Sequence, residues 1–118
     1  MSTQTERRFS KETVLEALET TCENNHFALP CELDSWHGFE SENPDILAEF
    51  GRHLESNHGF RFVGMWPSPA GSRNYHLRVA RVGIYDEASL VAEVERLAQI
   101  ATRHGVEVYA DCSPQPAL

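Results

Sequence analysis

The apolar positions of the chain change period several times between its first residue and its last. Val14, Leu15, Leu18 and Cys22 recur at steps of three and four, the spacing of one face of a helix. Ser10 stands before this run as a capping side chain, and Glu12 places an acid in the first turn. Asn24 and Asn25 end the pattern. From His26 to Leu33, the residues Phe27, Leu29, Cys31 and Leu33 share one side, which is strand periodicity. Pro30 falls on the opposite face and cannot donate to a ladder, so this reads as an edge or bulged strand. Asp34 to Ser41 reads as a loop that carries Trp36, His37, Gly38 and Phe39. Asn43-Pro44-Asp45 then forms a helix start, with a cap, a proline at the first helical position and an acid in the first turn. Ile46, Leu47, Phe50 and Leu54 make its stripe, and Gly59 ends it.

Phe60 to Trp66 is dense in aromatic and β-branched residues and reads as a strand. Pro67 to Ser72 is a turn-rich loop, and Tyr75 to Tyr85 is a long second strand of the same hairpin. Along that strand Tyr75, Leu77 and Val79 give way to Val82 and Ile84, a slip of one residue that predicts a bulge near Ala80 and Arg81. Asp86 caps a third helix whose apolar side is Leu90, Val91, Val94, Leu97, Ala98 and Ala101. The spacing puts Glu93, Glu95, Arg96 and Arg103 mostly outside that side. Gly105 ends the helix, and Val106 to Tyr109 is a final strand. The predicted order is a helix followed by β-α-β-β-α-β. That is the α+β, ferredoxin-like split arrangement of an antiparallel sheet, with an extra N-terminal helix. Residues 1–9 are expected to be a flexible N-terminus, 10–112 a single domain, and 113–118 a mobile tail.

Composition narrows the class. The chain has 118 residues, 41% of them hydrophobic and 24% charged, which fits one globular domain. No apolar run is long enough to span a membrane. The polar start, with Arg7 and Arg8, does not read as a secretory signal. Three cysteines, Cys22, Cys31 and Cys112, fit a reduced setting better than a disulfide scaffold. The expected location is cytoplasmic. The net charge is −8, which disfavours direct nucleic-acid binding and gives no reason to approach an anionic membrane. The charge is uneven. Residues 26–58 hold seven acids and one arginine, whereas residues 59–85 hold Arg61, Arg73, Arg78 and Arg81 and no acid.

No constellation for catalysis assembles along the chain. The six histidines show no HExxH and no paired Cys/His cluster, and His53 and His58 are five apart, a poor fit to one helix face. Cys22 and Cys31 fall on apolar stripes and read as small core residues. No serine sits in a nucleophile elbow, and no glycine loop is built to cradle phosphate. The expectation is therefore no catalytic residue, no cofactor and no metal, and a protein that is not an enzyme. His58-Gly59-Phe60-Arg61-Phe62-Val63 is similar to the aromatic RNP1 element of RNA-recognition domains. It stands on the second strand, where that element belongs on the third, and alternation puts Phe60, Phe62 and Gly64 on one face, ready to pack under helices. The candidate interface is Trp36, Phe39, Glu40, Glu42, Asp45, Arg61, Trp66, Arg78 and Arg81: aromatic residues in or near loops, a basic hairpin and an acidic segment.

The run Val91-Ala92-Glu93-Val94-Glu95-Arg96-Leu97, closed by His104-Gly105-Val106-Glu107-Val108-Tyr109, resembles the last helix and strand of the ribonuclease E regulator B family. The segments Glu12 to Leu18, Leu29 to Leu33, Ile46 to Leu54 and Gly59-Phe60-Arg61-Phe62 follow the same order of elements, so the resemblance spans residues 11–112. It implies a small acidic cytoplasmic protein with a ferredoxin-like fold and no activity of its own, which binds ribonuclease E and restrains it. The chain departs from the family by Val108-Tyr109-Ala110-Asp111-Cys112, where the family often has an Asp-Gly-Trp turn, and by a short end in place of a long acidic tail. The expected function is a non-catalytic regulator acting by protein contact. The alternatives are an inhibitor or immunity protein of a phage or toxin system, an RNA-binding domain using the basic aromatic hairpin, and a small-ligand sensor. The oligomeric state stays open.

Overall fold

The computed structural model describes residues 11–68 and 73–117, and of 110–112 the backbone alone. The expected cap at Ser10, the flexible residues 1–9, the centre of the loop before β3 and the Cys112 side chain lie outside this range. Among the described residues seven elements follow one another: α1 (Lys11–Asn25), β1 (Cys31–Ser41), α2 (Pro44–His58), β2 (Arg61–Pro67), β3 (Tyr75–Tyr85), α3 (Glu87–Arg103) and β4 (Glu107–Pro116). The strands form one antiparallel sheet in the order β2-β3-β1-β4. The molecule is thus an α+β protein.

The helix ends follow local chemistry. Asn43 Oδ1 accepts from the backbone N–H of Asp45 at 2.9 Å and of Ile46 at 3.2 Å, which satisfies two donors that the first turn of α2 leaves unpaired. Gly59 takes φ +72° and returns its N–H to the Leu54 carbonyl, a left-handed stop that a side chain would strain. Asp86 and Ser89 cap α3 reciprocally, the Asp86 side chain accepting from Ser89 N and the Ser89 hydroxyl from Asp86 N.

The three described helices lie on the same side of the sheet. α2 and α3 cover Phe39, Leu77 and Val79 with Leu47, Phe50, Leu54, Leu97 and Ile100. α1 adds a second cluster in which Val14 and Leu18 meet Leu33, Tyr85, Leu90 and Val94. Its Thr21 hydroxyl donates to the Pro114 carbonyl of β4 at 2.8 Å. The extra helix therefore extends the helical layer, and no described element covers the other face of the sheet.

Several expectations need correction. The segment Asp34–Ser41 is not a loop but most of β1, the longest-paired strand, bonded to β3 on one side and β4 on the other. Pro30 does not sit in an edge strand. It precedes β1, joined to Leu29 by a cis peptide bond. The register between β1 and β3 is unbroken, so β3 has no bulge at Ala80 and Arg81. The extra residue is Val63, opposite them in β2, where pairing steps from Phe62↔Val79 to Gly64↔Arg78. That step puts Gly64 on the opposite face from Phe62. The apolar phase of β3 changes face while its backbone does not: Val82 and Ile84 point to the open side, and Arg81 points inward. Finally, β4 continues through Ser113 to Pro116, the stretch expected to be a tail, and pairs there with Leu33 to Trp36.

Candidate functional site

Two sites emerge, one on each side of the sheet. The open side is set by strand alternation, since paired residues share a face. From β2 it receives Arg61, Gly64 and Trp66, and from β3 His76, Arg78, Ala80, Val82 and Ile84. β1 and β4 add Asp34, Trp36, Glu40, Tyr109 and Gln115. Trp66, Val82, Ile84 and Tyr109 are 43%, 48%, 66% and 41% exposed, a concentration of large apolar side chains that a sheet normally buries.

This face is ordered by polar contacts. Arg61 reaches across Ala80, whose small side chain leaves the path open, and forms a two-pronged bond to Asp34 at 3.0 and 2.7 Å. The Trp36 indole N–H donates to the same carboxylate at 3.0 Å, and the guanidinium lies 5.9 Å from the Trp36 ring centre. The Arg61 bond holds the Asp34 carboxyl below its ordinary value, with Trp36 helping and burial opposing. At the other end His76 stands 5.2 Å from both the Trp66 and Tyr109 rings. A Cβ on Gly64 would come within 2.7 Å of the Trp66 ring, so that indole lies back over the glycine. A shallow hollow of about 500 Å³ opens between Asp34, Trp36, Arg78, Gln115 and Pro116.

The candidate interface residues divide accordingly. Trp36, Arg61, Trp66 and Arg78 come together on the open face. Phe39 does not, because it points inward and is 1% exposed against Phe50. Glu40 is buried too, accepting from Ser68 at 3.1 Å and Asn74 at 3.2 Å, with His76 at 3.8 Å. Glu42 and Asp45 are exposed around the start of α2. Arg81 belongs to the second site. Phe60 is a core residue, and Phe62 faces the helix side beside Gly51. The two rings of the RNP1-like segment are thus off the face on which such a domain stacks bases.

The second site is a polar centre inside the helical layer, built on a carboxylate of α3 that reads by residue type as solvent-facing. Glu93 is not on the outside of its helix; it is buried and accepts four bonds. Its Oε2 takes the Ser35 hydroxyl at 2.8 Å and lies 2.8 Å from His37 Nε2. Its Oε1 takes the Tyr85 hydroxyl at 2.6 Å and the Arg81 guanidinium. Burial would raise the Glu93 pKa, but His37, Tyr85 and Ser35 outweigh it and bring it down to about 2. Burial and the bond to Glu93 push Tyr85 up to about 12. Serine, histidine and carboxylate are all present, yet they do not form a nucleophilic relay. Ser35 lies 2.6 Å from Nε2, the same imidazole nitrogen that meets Glu93, whereas such a relay uses the two ring nitrogens in series. Ser35 is also fully buried.

Three of the other histidines, His53, His58 and His104, gather at the ends of α2 and α3, while His26 follows α1. Despite their five-residue separation, the His53 and His58 rings stand 5.2 Å apart, and His104 lies 4.6 Å from His53. Among the described residues no group of three or more His, Cys, Asp or Glu is arranged to hold a metal ion. Cys22 and Cys31 are half-buried, and burial raises both thiol pKa values. No described helix is long and apolar enough to cross a membrane. No protein-family model, curated protein or solved structure matches the chain.

Proposed function

We propose that the fold is the ferredoxin-like arrangement and that the protein is a non-catalytic regulator. In this reading it docks a protein partner on the open face of its sheet, and a ribonuclease of the ribonuclease E type is the first candidate. The observation that carries the reading is the uncovered face itself, where Trp36, Trp66 and Tyr109 stand beside Val82 and Ile84. Aromatic anchors with arginine at their margin are what protein interfaces concentrate. A protein occupant suits this face better than RNA. Arg61 is already neutralised by Asp34, and the net charge of −8 opposes a polyanion. The resemblance to the regulator family points to the same class of partner, and the Glu93 centre supports it by lacking a nucleophile in series with a base. The order β2-β3-β1-β4, with two β-α-β units interleaved, supports the ferredoxin-like reading.

The test uses purified ribonuclease E. Calorimetric titration should show saturable binding, and RNA cleavage should slow in proportion. Trp36→Ala combined with Trp66→Ala should weaken both by about a hundredfold or more, since anchors of this kind each contribute roughly 2 kcal/mol. No binding would discard this partner. Binding that survives the double substitution would discard the open face as the docking surface. Tight, salt-sensitive binding to RNA alone would replace the reading with a nucleic-acid one.

A further inference from the structure

A cleft of about 220 Å³ lies on the helix side of the sheet, between the C-terminal end of α2 and α3. Its walls differ in character. Phe60, Leu97 and Ile100 supply an apolar floor, while Arg81, Arg96 and His58 stand around it. Glu93 also lines the cleft, but its charge is spent. Both carboxylate oxygens already accept two bonds each, and Arg81 is its counter-ion. Arg81 is fixed in turn by donating to the His58 carbonyl at 3.1 Å and by lying 4.8 Å over the Phe60 ring. Arg96 is different. It is exposed and forms no ion pair among the described residues, so one guanidinium faces the cleft with its charge uncompensated. The crowding of positive groups registers on His58, whose pKa is lowered by burial first and then by His53, Arg96 and Arg81. In a chain of net charge −8, this is a local excess of positive charge over an apolar floor.

We propose that this cleft binds a small organic anion. Arg96 and the free donors of Arg81 hold its charged group, and Phe60, Leu97 and Ile100 hold its apolar body. The volume is below the roughly 300–1,000 Å³ of pockets for larger ligands, which restricts the ligand to one ring or a short chain bearing a carboxylate or phosphate. Guanidinium groups suit either anion, because their paired N–H donors match its oxygens. The site lies on the opposite side of the sheet from the proposed docking face, so the two readings stand or fall separately.

Calorimetry and amide chemical shifts of the full chain test the proposal, with benzoate and phenyl phosphate as probes and benzamide as the uncharged twin of benzoate. At least one anion should bind saturably and shift the amides of Phe60, Arg96 and Leu97, while benzamide leaves them in place. Arg96→Gln should weaken binding by about tenfold or more, the scale of one charge-assisted hydrogen bond. Arg103→Gln, an exposed arginine outside the cleft, should not weaken it. Because Arg96 is itself exposed, its replacement leaves the core untouched. The proposal is overturned if neither anion saturates, if benzamide binds as well as benzoate, or if Arg96→Gln binds like the native chain. Inorganic phosphate binding as tightly as phenyl phosphate would remove the apolar floor from the site.

Discussion

Glu93 concentrates most of what single residues decide in this molecule. A buried carboxylate is costly unless its oxygens are filled, and here Ser35, His37, Tyr85 and Arg81 fill them. Glu93→Gln keeps the shape, but it removes the charge that Arg81 and His37 face. It should cost about 3 kcal/mol in denaturant unfolding, whereas Glu95→Gln on the exposed side should stay within about 0.5 kcal/mol. The pH dependence has a definite sign. A carboxyl held at about 2 rather than its ordinary 4.5 contributes stability above pH 4.5 that is lost as pH falls toward 2. Acid unfolding of the native chain should steepen in that window, and the glutamine variant should lack that component. Tyr85 acts at the other extreme. Its raised pKa contributes stability below its ordinary value of 10, lost as pH climbs through about 12, so its absorbance should titrate late. The position of Glu93 is legible in the sequence. It stands three residues after Leu90 and four before Leu97, in line with the buried stripe. Reading a carboxylate as solvent-facing by type hides it, because its partners lie on two distant strands.

Elements were legible wherever their ends carry local chemistry. The starts of α2 and α3 follow from Asn43, Pro44 and Asp86, and their stops from Gly59 and Gly105, because capping depends on a few consecutive residues. Asn43→Ala removes the acceptor for two amides and should cost about 1 kcal/mol by thermal unfolding. Gly59→Ala should cost about as much, through its φ of +72° alone, since nothing lies within 4 Å of the added methyl. β1 is the counter-example. Its inward residues are Leu33, Ser35, His37 and Phe39, and its outward ones include Asp34, Trp36 and Glu40. Polar side chains fall on both faces, so no alternation appears. The inward pair is tolerated because Glu93 satisfies it, and that compensation is tertiary. The phase change in β3 has a similar source: Arg81 turns inward to the same carboxylate, leaving Val82 and Ile84 outside.

At the scale of the whole molecule, the order of elements was legible while the position of the first helix and the coverage of the sheet were not. Nothing in Val14, Leu15 and Leu18 distinguishes a helix docked beside α3 from one docked across the open face, because either site would bury the same stripe. The exposed face has a measurable consequence. Ile84, 66% exposed, should accept serine at a cost below about 0.5 kcal/mol of stability. The same change should weaken a partner seated on that face, which calorimetry with the purified partner would read. A loss of folding instead would mean that the side chain supports the sheet.

The seat of α1 has a consequence for how the chain is made. Its apolar stripe closes on α3, and its Thr21 bonds to Pro114 of β4. The earliest described helix to leave a ribosome thus waits for the two latest elements before its seat is complete. β1 waits as well, since both of its neighbours in the sheet, β3 and β4, follow it by several elements. Contacts so distant in sequence are slow to form. A nascent chain halted before β4 should therefore leave α1 open to protease while α2 and the β2–β3 hairpin already resist it. Release of the completed chain should close that first segment last.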